Sequence, residues 1–302
     1  MFDNPGEAYV ELIKDEELQP FGVSLYVKRE DLIHPFISGN KWRKLKYNFL
    51  KAQESGLKTI LTVGGAFSNH IAAVAAAGKE YGFKTLGVIR GEEHLPLNPT
   101  LYSAKANGME IIYFPRDKFR QGLSEDDFKA IEQTFGKFIF IPEGGTNEPA
   151  IQGTSEIIND IKINFSFICC AVGTGGTVAG LIQSNKQNAF SVLGFSALKN
   201  SDYLTDEVRK LTGDNQSSWK ITNDYAFGGY AKFNNLLIDF INRFKALHGI
   251  QLDPIYTGKM MFGIYDLIKK GYFPNGSTII AVHTGGLQGI VGFNERFGNL
   301  IH

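Results

Sequence analysis

A buried β-strand that runs directly into a glycine-rich turn stands out in this chain. It reads Ser166-Phe167-Ile168-Cys169-Cys170-Ala171-Val172 and continues as Gly173-Thr174-Gly175-Gly176-Thr177. A helical segment follows the turn. The glycines allow the backbone amides to converge, the helix start adds partial positive charge, and the threonines add hydroxyl donors. The pattern is typical of a phosphate-binding turn between a strand and a helix.

Several ligands remain open for this turn. A Walker loop would end in Gly-Lys-Ser/Thr, which does not follow here. A dinucleotide fingerprint would place its third glycine where Val178 lies, and the next strand, Ser191–Phe195, ends without a ribose-binding acid. A lone phosphate, on a sugar or a cofactor, is favoured, and an ordinary tight turn is the alternative.

The rest of the chain alternates short apolar strands with amphipathic helices. Strands are predicted at Val23–Lys28, Thr59–Val63, Thr85–Ile89, Glu110–Phe114, Phe138–Ile141, Ser166–Ala171, Ser191–Phe195 and Thr278–Val282. Helices are predicted at Trp42–Glu54, Asn69–Tyr81, Asp126–Thr134, Ile151–Ile163, Thr177–Asn188, Asn234–His248 and Lys259–Lys270. This alternation predicts an α/β fold with parallel sheets covered on both faces. The strand count fits two lobes, with a (β/α)₈ barrel as the alternative.

Composition excludes several functional classes. The 302 residues are 43% hydrophobic, and 31 basic residues balance 31 acidic ones. Zero net charge provides no electrostatic reason to expect a nucleic acid or a membrane as partner. The first residues lack the pattern of a signal peptide, and no apolar run is long enough to cross a bilayer, so we expect a cytoplasmic protein. Cys169 and Cys170 are adjacent in a strand, which predicts opposite faces and a reduced, buried pair.

Glycine turns follow other predicted strands as well. They are Gly64-Gly65-Ala66-Phe67-Ser68-Asn69, Glu143-Gly144-Gly145-Thr146-Asn147 and His283-Thr284-Gly285-Gly286. Ligands of parallel sheets bind beyond the carboxyl ends of the strands. Together with Gly173–Thr177, these turns predict one polar site with close backbone approach to a ligand.

A lysine near a helix start offers covalent chemistry. Lys41 lies in the first turn of the helix that opens at Ser38-Gly39-Asn40-Lys41. The helix dipole there opposes a positive charge and favours the neutral amine, which is the form that makes Schiff bases. A solvated surface lysine is the alternative interpretation of this position.

Taken together, the motifs resemble the D-cysteine desulfhydrase and 1-aminocyclopropane-1-carboxylate deaminase family of pyridoxal phosphate enzymes. The resemblance spans almost the whole chain and lies in Val27-Lys28-Arg29-Glu30-Asp31-Leu32, Gly39-Asn40-Lys41, Arg43-Lys44-Leu45, Gly64-Gly65, Ser68-Asn69-His70, Pro142-Glu143-Gly144-Gly145, Gly173–Gly180, Asp253–Lys259 and His283–Gly286. It implies a two-lobed, parallel-sheet, tryptophan-synthase-β-like fold (fold type II). The large cofactor-binding domain would comprise residues 1–45 and 151–302, the small domain residues 46–150, and the assembly would be a homodimer.

The same resemblance implies residue roles. Lys41 would carry pyridoxal 5'-phosphate as a Schiff base, with Ser68, Tyr230 and Tyr256 as further catalytic residues. The substrate, a small amino acid, would meet Ser68, Asn69, His70 and Tyr256. The other cofactor contacts would be Asn69, Gly173, Thr174, Gly175, Gly176, Thr177 and Thr284. Ser68 and Thr257 as helix N-caps, Tyr256 as a core aromatic and Thr284 as a turn residue are the structural alternatives.

The chain departs from the family pattern at some positions. Ser38-Gly39-Asn40 replaces a double glycine, and Ala66-Phe67 replaces Ile-Gln, which removes an amide from the pocket wall. The segment that carries Tyr230, Phe227-Gly228-Gly229-Tyr230-Ala231-Lys232, matches the family only loosely. Phe67 therefore bears on the identity of the substrate and not on the cofactor.

Family members with the two activities differ at two other positions, which are 257 and 284 in this chain. Thr257 and Thr284 occur where the desulfhydrases have threonine and the cyclopropane deaminases have glutamate and leucine. A neutral hydroxyl beside the pyridine nitrogen gives a weaker electron sink than a carboxylate does, and a weaker sink suffices for α,β-elimination. We therefore expect a lyase that converts D-cysteine to pyruvate, sulfide and ammonia, with a hydrolytic deaminase of the cyclopropane amino acid as the alternative.

Other classes are less well matched. A sugar-phosphate-binding protein without lysine chemistry would use the same glycine turns. A serine hydrolase at Ser68 would lack the flanking glycines of a nucleophile elbow. The histidines (His34, His70, His94, His248, His283 and His302) show no paired metal spacing, so no metal is predicted.

Overall fold

A six-stranded sheet forms one half of the molecule. The computed structural model describes residues 1–2, 6–213 and 218–302. In spatial order the sheet contains β1 (Val10–Leu12), β2 (Ser24–Lys28), β10 (Thr278–Val282), β7 (Phe167–Val172), β8 (Ser191–Ser196) and β9 (Trp219–Thr222). Strand β1 pairs antiparallel with β2, and the remaining pairs are parallel. The carboxyl ends of β7 and β10 therefore meet at one edge of the sheet, side by side.

A second sheet, with four parallel strands, is built from the intervening chain. Its spatial order is β5 (Met109–Phe114), β4 (Lys84–Arg90), β3 (Thr59–Gly65) and β6 (Ile139–Ile141). All of these strands lie within the predicted small domain, residues 46–150. The predicted boundary at residue 45 falls inside a helix, and the exact domain limits stay a prediction.

Helices cover the sheets. They are α1 (Asn40–Glu54), α2 (Asn69–Tyr81), α3 (Pro99–Ala106), α4 (Arg116–Gln121), α5 (Glu125–Phe135), α6 (Glu148–Ser155), α7 (Gly176–Ser184), α8 (Tyr203–Thr212), α9 (Asn235–His248), α10 (Thr257–Lys269) and α11 (Gly289–Phe297). Polar side chains cap several of them, such as Asn98 at α3 and Ser124 at α5. Within the described ranges, no helix is both long and apolar enough to cross a membrane.

The central strand β7 separates two apolar layers. Cys169 belongs to the core that packs under α9 and α10, whereas Cys170 belongs to the core beneath α7 and α8. Both thiols are buried and free. The prediction of a buried pair on opposite faces is confirmed, because neighbouring strand residues point to opposite sides.

The predicted two-lobed arrangement of parallel sheets is confirmed, and the single-barrel alternative is wrong. The sequence patterns missed the short strands β1 and β9 and four helices, α3, α4, α8 and α11. The helix predicted at Ile151–Ile163 is also wrong in extent: α6 ends at Ser155 and a 3₁₀ turn, Glu156–Asp160, follows.

A buried network of charges supports the start of α1. Glu30 is fully buried, and its carboxylate accepts hydrogen bonds from Arg43 Nε and Nη2, each at 3.0 Å. The ammonium of the fully buried Lys28 lies 3.0 Å from the same carboxylate. Arg43 Nη2 also reaches Asp160, at 2.6 Å. Because Arg43 lies between Lys41 and Lys44 in α1, this network holds the part of the helix that carries both lysines.

Candidate active site

A cavity lies where the two sheets meet, and the four glycine turns all contribute to it. Its lining comprises Asn40, Lys41, Lys44, Asn69, Gly144, Ala171, Val172, Gly173, Thr174, Gly175, Gly176, Thr177, Val178, Tyr256, Thr284 and Gly285. The contributing turns follow β3, β6, β7 and β10. The convergence expected from the sequence arises because the carboxyl ends of parallel strands lie at one edge of each sheet, and these two edges border the same cavity.

The turn after β7 has the shape of an anion cradle. A Cβ at Gly176 would lie 2.8 Å from Thr146 Oγ1 and 3.0 Å from Lys44 Nζ, and one at Gly173 would lie 3.2 Å from Tyr256 Cε1. The turn therefore has room for backbone but not for side chains. The amides at the start of α7 have no carbonyl partner earlier in the helix, so they can donate to an anion.

Lys41 is the second residue of α1 and reaches into the cavity. Its side chain keeps some exposure to solvent, but the surrounding protein removes most of its hydration. This burial lowers the pKa of the Lys41 amine to about 8. A substantial fraction of the amine is therefore neutral near physiological pH, as covalent attachment of a carbonyl compound requires.

Lys44 is a site residue that the sequence analysis did not assign. It lies one helical turn after Lys41, and its ammonium donates to the carbonyl of Gly144 at 2.8 Å and to Thr146 Oγ1 at 3.3 Å. Burial, and secondarily the charge of Lys41, lower the pKa of Lys44 well below its usual value. An anion bound beside Gly176 would favour the charged form again. The i, i+3 spacing of the two lysines was the available signal.

Asn69 and Thr284 line the cavity from the two halves of the molecule. Asn69 begins α2, and its Oδ1 accepts a hydrogen bond from Gln288 Nε2 at 2.8 Å. The backbone carbonyl of Thr284 accepts from the amide of Asn40 at 3.2 Å. This contact ties the loop after β10 to the start of α1.

Ser68 and His70 are not among the described residues that line the cavity. Ser68 Oγ accepts hydrogen bonds from the amides of His70 and Ile71, so its hydroxyl caps α2. Phe67 is 41% exposed, and its ring lies against Gly292 of α11, where an added Cβ would be 3.1 Å away. The substrate contacts of Ser68 and His70 stay predictions.

The imidazole of His70 is buried beside the cavity. Thr62 Oγ1 donates to the carbonyl of Ile141, so the 2.8 Å contact between this hydroxyl and His70 Nε2 requires the ring nitrogen to donate. Among the described residues, Nδ1 has no hydrogen-bond partner, and Gly145 lies next to it. Burial lowers the pKa of His70 well below its usual value, which keeps the ring neutral.

Tyr256 lines the cavity, and Tyr230 lies outside it. Their ring centroids are 6.2 Å apart, and Tyr230 is 45% exposed. Burial raises the pKa of Tyr256 well above its usual value, so its hydroxyl stays protonated. The hydroxyl of Thr257, for which a helix cap was the structural alternative, donates to the buried Asp253 at 2.7 Å, and Thr257 is not among the described residues that line the cavity.

The donor set suits pyridoxal phosphate. A partly neutral lysine lies beside a glycine cradle and a second buried lysine, and the amide of Asn69 and the hydroxyl of Thr284 belong to residues that line the same cavity. The cradle and Lys44 would hold the phosphate, Lys41 would bind the aldehyde carbon, and Asn69 and Thr284 would contact the ring.

Known proteins share this architecture and sequence. The family model described as pyridoxal-phosphate dependent enzyme matches residues 4–285. A putative 1-aminocyclopropane-1-carboxylate deaminase from Pyrococcus abyssi is 32% identical, over 93% of this chain and 89% of the relative. A mitochondrial bifunctional D-cysteine desulfhydrase/1-aminocyclopropane-1-carboxylate deaminase from Arabidopsis thaliana is 27% identical, over 93% and 77%.

A solved structure agrees with these relatives. The crystal structure of an ACC deaminase homologue superimposes with a TM-score of 0.82 at 27% identity, covering 99% of this chain and 95% of that one. The chain is an enzyme, and it belongs to the pyridoxal-phosphate dependent family that includes the 1-aminocyclopropane-1-carboxylate deaminases and the D-cysteine desulfhydrases.

Proposed function

We propose that this enzyme catalyses α,β-elimination on a small amino acid, with D-cysteine as the first substrate to test. The observation that carries the proposal is the chemistry of the cavity wall. Among the described residues that line the cavity there is no carboxylate, and Thr284 offers a neutral hydroxyl. Without an acid nearby, a pyridine ring nitrogen is not held protonated, and the weaker electron sink favours substrates that carry a good leaving group on Cβ.

Bound pyridoxal phosphate would supply the electron sink that makes the Cα proton of an amino acid acidic. Lys41 would hold the cofactor covalently and exchange with the substrate amine, helped by its lowered pKa. Gly173–Thr177 and Lys44 would hold the phosphate. Asn69 and Thr284 would orient the ring. Each of these residues lines the same cavity.

Proton transfer can be assigned to a small set of groups. Lys41, once released by the substrate amine, is the candidate base for the Cα proton, whereas the hydroxyl of Tyr256, which stays protonated and also lines the cavity, is a candidate proton donor. Thiolate then leaves Cβ with the bonding electrons and is protonated, and water replaces the amino group. The overall reaction is balanced: D-cysteine and water give pyruvate, hydrogen sulfide and ammonia. Ser68, Asn69, His70 and Tyr256 are the proposed substrate contacts, and Ser68 and Tyr230 are proposed as further catalytic residues.

A second activity is supported by the names of the relatives. The Pyrococcus and Arabidopsis proteins carry the cyclopropane deaminase name, and the latter carries both names. In that reaction water and 1-aminocyclopropane-1-carboxylate would give 2-oxobutanoate and ammonia. The same lysine and phosphate cradle would serve both reactions. The residues around the cofactor ring and the substrate would therefore decide which reaction the enzyme catalyses.

The test compares the candidate substrates on one preparation of the enzyme. Purified protein loaded with pyridoxal phosphate is incubated with D-cysteine, L-cysteine or the cyclopropane amino acid, and pyruvate, sulfide and 2-oxobutanoate are measured. We expect pyruvate and sulfide in equal amounts from D-cysteine, and no product from Lys41→Ala. Production of 2-oxobutanoate with no sulfide from D-cysteine would replace the first proposal by the second.

The architecture suggests how the site closes. We propose residues 46–150 as the small domain and residues 1–45 with 151–302 as the large one, with substrate binding drawing the two together over the cofactor to exclude water. A homodimer and a cytoplasmic location stay predictions, drawn from the family resemblance and from the chain's composition.

A further inference from the structure

A buried lysine outside the cavity lining binds the backbone of one loop. Lys259 lies in the first turn of α10 and is 1% exposed. Its ammonium donates to the carbonyl of Ala226 at 2.8 Å and to the carbonyl of Gly229 at 2.7 Å. Burial lowers the pKa of the Lys259 amine to about 8, because the surrounding protein removes its hydration. The fold therefore keeps this cation at a cost, and its contacts belong to the loop.

The loop, residues 226–232, consists of two successive turns that share one residue, and we call it the Tyr230 loop. In the first turn the amide of Gly229 donates to the carbonyl of Ala226 at 2.9 Å. In the second the amide of Lys232 donates to the carbonyl of Gly229 at 3.1 Å. Lys259 thus binds the first carbonyl of each turn, and one side chain joins both turns to α10.

The backbone of the Tyr230 loop is strained. Phe227 has φ 52° and Ala231 has φ 55°, which are left-handed conformations that favour glycine. Such conformations persist only where contacts from outside the loop fix them. The two hydrogen bonds from Lys259 are contacts of this kind.

The loop carries Tyr230, which lies against a residue of the cavity wall. The rings of Tyr230 and Tyr256 pack edge to face with their centroids 6.2 Å apart. Tyr256 directly precedes α10, and its amide donates to the carboxylate of Asp253 at 2.9 Å. The start of α10 therefore fixes Tyr256 through its own backbone and Tyr230 through Lys259.

We infer that Lys259 is a positioning residue that keeps Tyr230 beside Tyr256 by holding the two turns of the Tyr230 loop. This inference rests on the proposed roles of Tyr230 and Tyr256 in turnover. Tyr230 is 45% exposed, so its own packing fixes it only in part. Lys259 would then affect turnover through the position of Tyr230, without touching the substrate or the cofactor.

The decisive variant is Lys259→Met, which keeps the length of the side chain and removes its donors. Replacing a buried charge by an apolar group of similar volume often leaves stability unchanged or raises it, so this variant should fold. Lys259→Gln, whose shorter side chain cannot span both carbonyls, repeats the test should the methionine variant not fold. Ile268→Ala is the control for a weakened α10, because Ile268 is 1% exposed near the opposite end of the helix.

The first measurement is the rate at which trypsin cuts the loaded enzyme after Lys232, the exposed last residue of the loop. Cleavage requires the loop to open locally, so we expect Lys259→Met to be cut at least about tenfold faster than the unmodified enzyme. Ile268→Ala and Tyr230→Phe, in which Lys259 still holds the loop, should be cut there at the rate of the unmodified enzyme. Equal rates for Lys259→Met and the unmodified enzyme would overturn the inference.

The second measurement is a double-mutant cycle of kcat/KM between Lys259→Met and Tyr230→Phe, with the candidate substrate that the enzyme turns over. We expect each single variant to lose about tenfold or more, and Lys259→Met to cost less than about twofold once the Tyr230 hydroxyl is absent. A residue that only stabilised the fold would cost the same in both backgrounds, and that result would overturn the inference.

The same cycle separates this inference from the proposed function. If Tyr230→Phe loses activity and the two losses simply add, the role of Tyr230 stands and that of Lys259 is wrong. If Tyr230→Phe turns over substrate as the unmodified enzyme does, the proposed role of Tyr230 is wrong, and the inference about Lys259 is overturned with it.

Discussion

Neutralising Glu30 should destabilise the enzyme far more than removing a typical surface charge. Glu30 is fully buried and pairs at 3.0 Å with both Arg43 and Lys28. In Glu30→Gln, two buried cations would lose their shared carboxylate. Among the described acidic residues, Arg43 would keep Asp160, which is 48% exposed, and Glu156, at 4.0 Å. Breaking a buried ion pair from one side costs about 3–5 kcal/mol, and we expect a loss of folding free energy in that range.

Urea denaturation followed by circular dichroism measures this loss without adding salt that would screen the charges. Glu207→Gln is the matched control, because its 2.7 Å pair with Lys210 is exposed and such pairs contribute about 0.5 kcal/mol or less. Since the network supports the helix that carries Lys41, we also expect weaker binding of pyridoxal phosphate by Glu30→Gln. A loss below about 1 kcal/mol, or one equal to that of the control, would refute this account of the network.

Three further predictions concern Lys41, the glycines Gly39 and Gly56, and the cysteine pair. Burial lowers the pKa of Lys41 to about 8. The rate at which an amine-selective reagent labels Lys41 in the apoprotein should therefore rise with pH and level off above pH 8. A rate that climbs steadily to pH 10 would contradict the lowered pKa. Gly39→Ala should abolish cofactor binding or folding, because the added Cβ would lie 1.9 Å from a backbone oxygen of the loop after β10. Gly56 also has a positive φ, but a Cβ there would meet open space, so Gly56→Ala should lose only about 1 kcal/mol of folding free energy. Cys169 and Cys170 should resist thiol reagents until the protein unfolds. Burial raises the pKa of Cys169 well above its usual value and that of Cys170 to about 12, so little reactive thiolate is present. Rapid labelling of the native protein would show that β7 is not buried.

Local patterns were sufficient for most of the regular elements. The strand at Thr278–Val282 and the helix at Asn69–Tyr81 occur with the predicted bounds. Their apolar periodicity agrees with their burial, and a serine cap precedes the helix. The missed strands, β1 and β9, are three and four residues long at the two edges of the large sheet. Such short edge strands exist because a neighbour offers backbone partners, and no local pattern records that.

The residues of the candidate site also divide into those that a local pattern predicts and those that it misses. The glycine turn after β7 and Lys41 were predictable as neighbours in one cavity because glycine placement and helix position are local properties, and the family resemblance joined them. Lys44 was missed because its importance depends on the carbonyl of Gly144, 100 residues away. The substrate contacts of Ser68 and His70 stay predictions. In the folded chain, Ser68 accepts hydrogen bonds at the start of α2 and His70 contacts Thr62, and neither contact could be predicted from a local pattern.

The sequence by itself predicted most of the strands and helices in their order, the glycine turn of the proposed anion cradle, Lys41 as the proposed reactive lysine, and the family. These depend on periodicity, glycine placement and short motifs, each confined to neighbouring residues. Only the tertiary structure decided which turns share a cavity, how far burial lowers the pKa of Lys41, and that Gln288 reaches Asn69. Those properties depend on distances between parts of the chain remote in sequence and on the water that the fold excludes, and neither is encoded in any single segment.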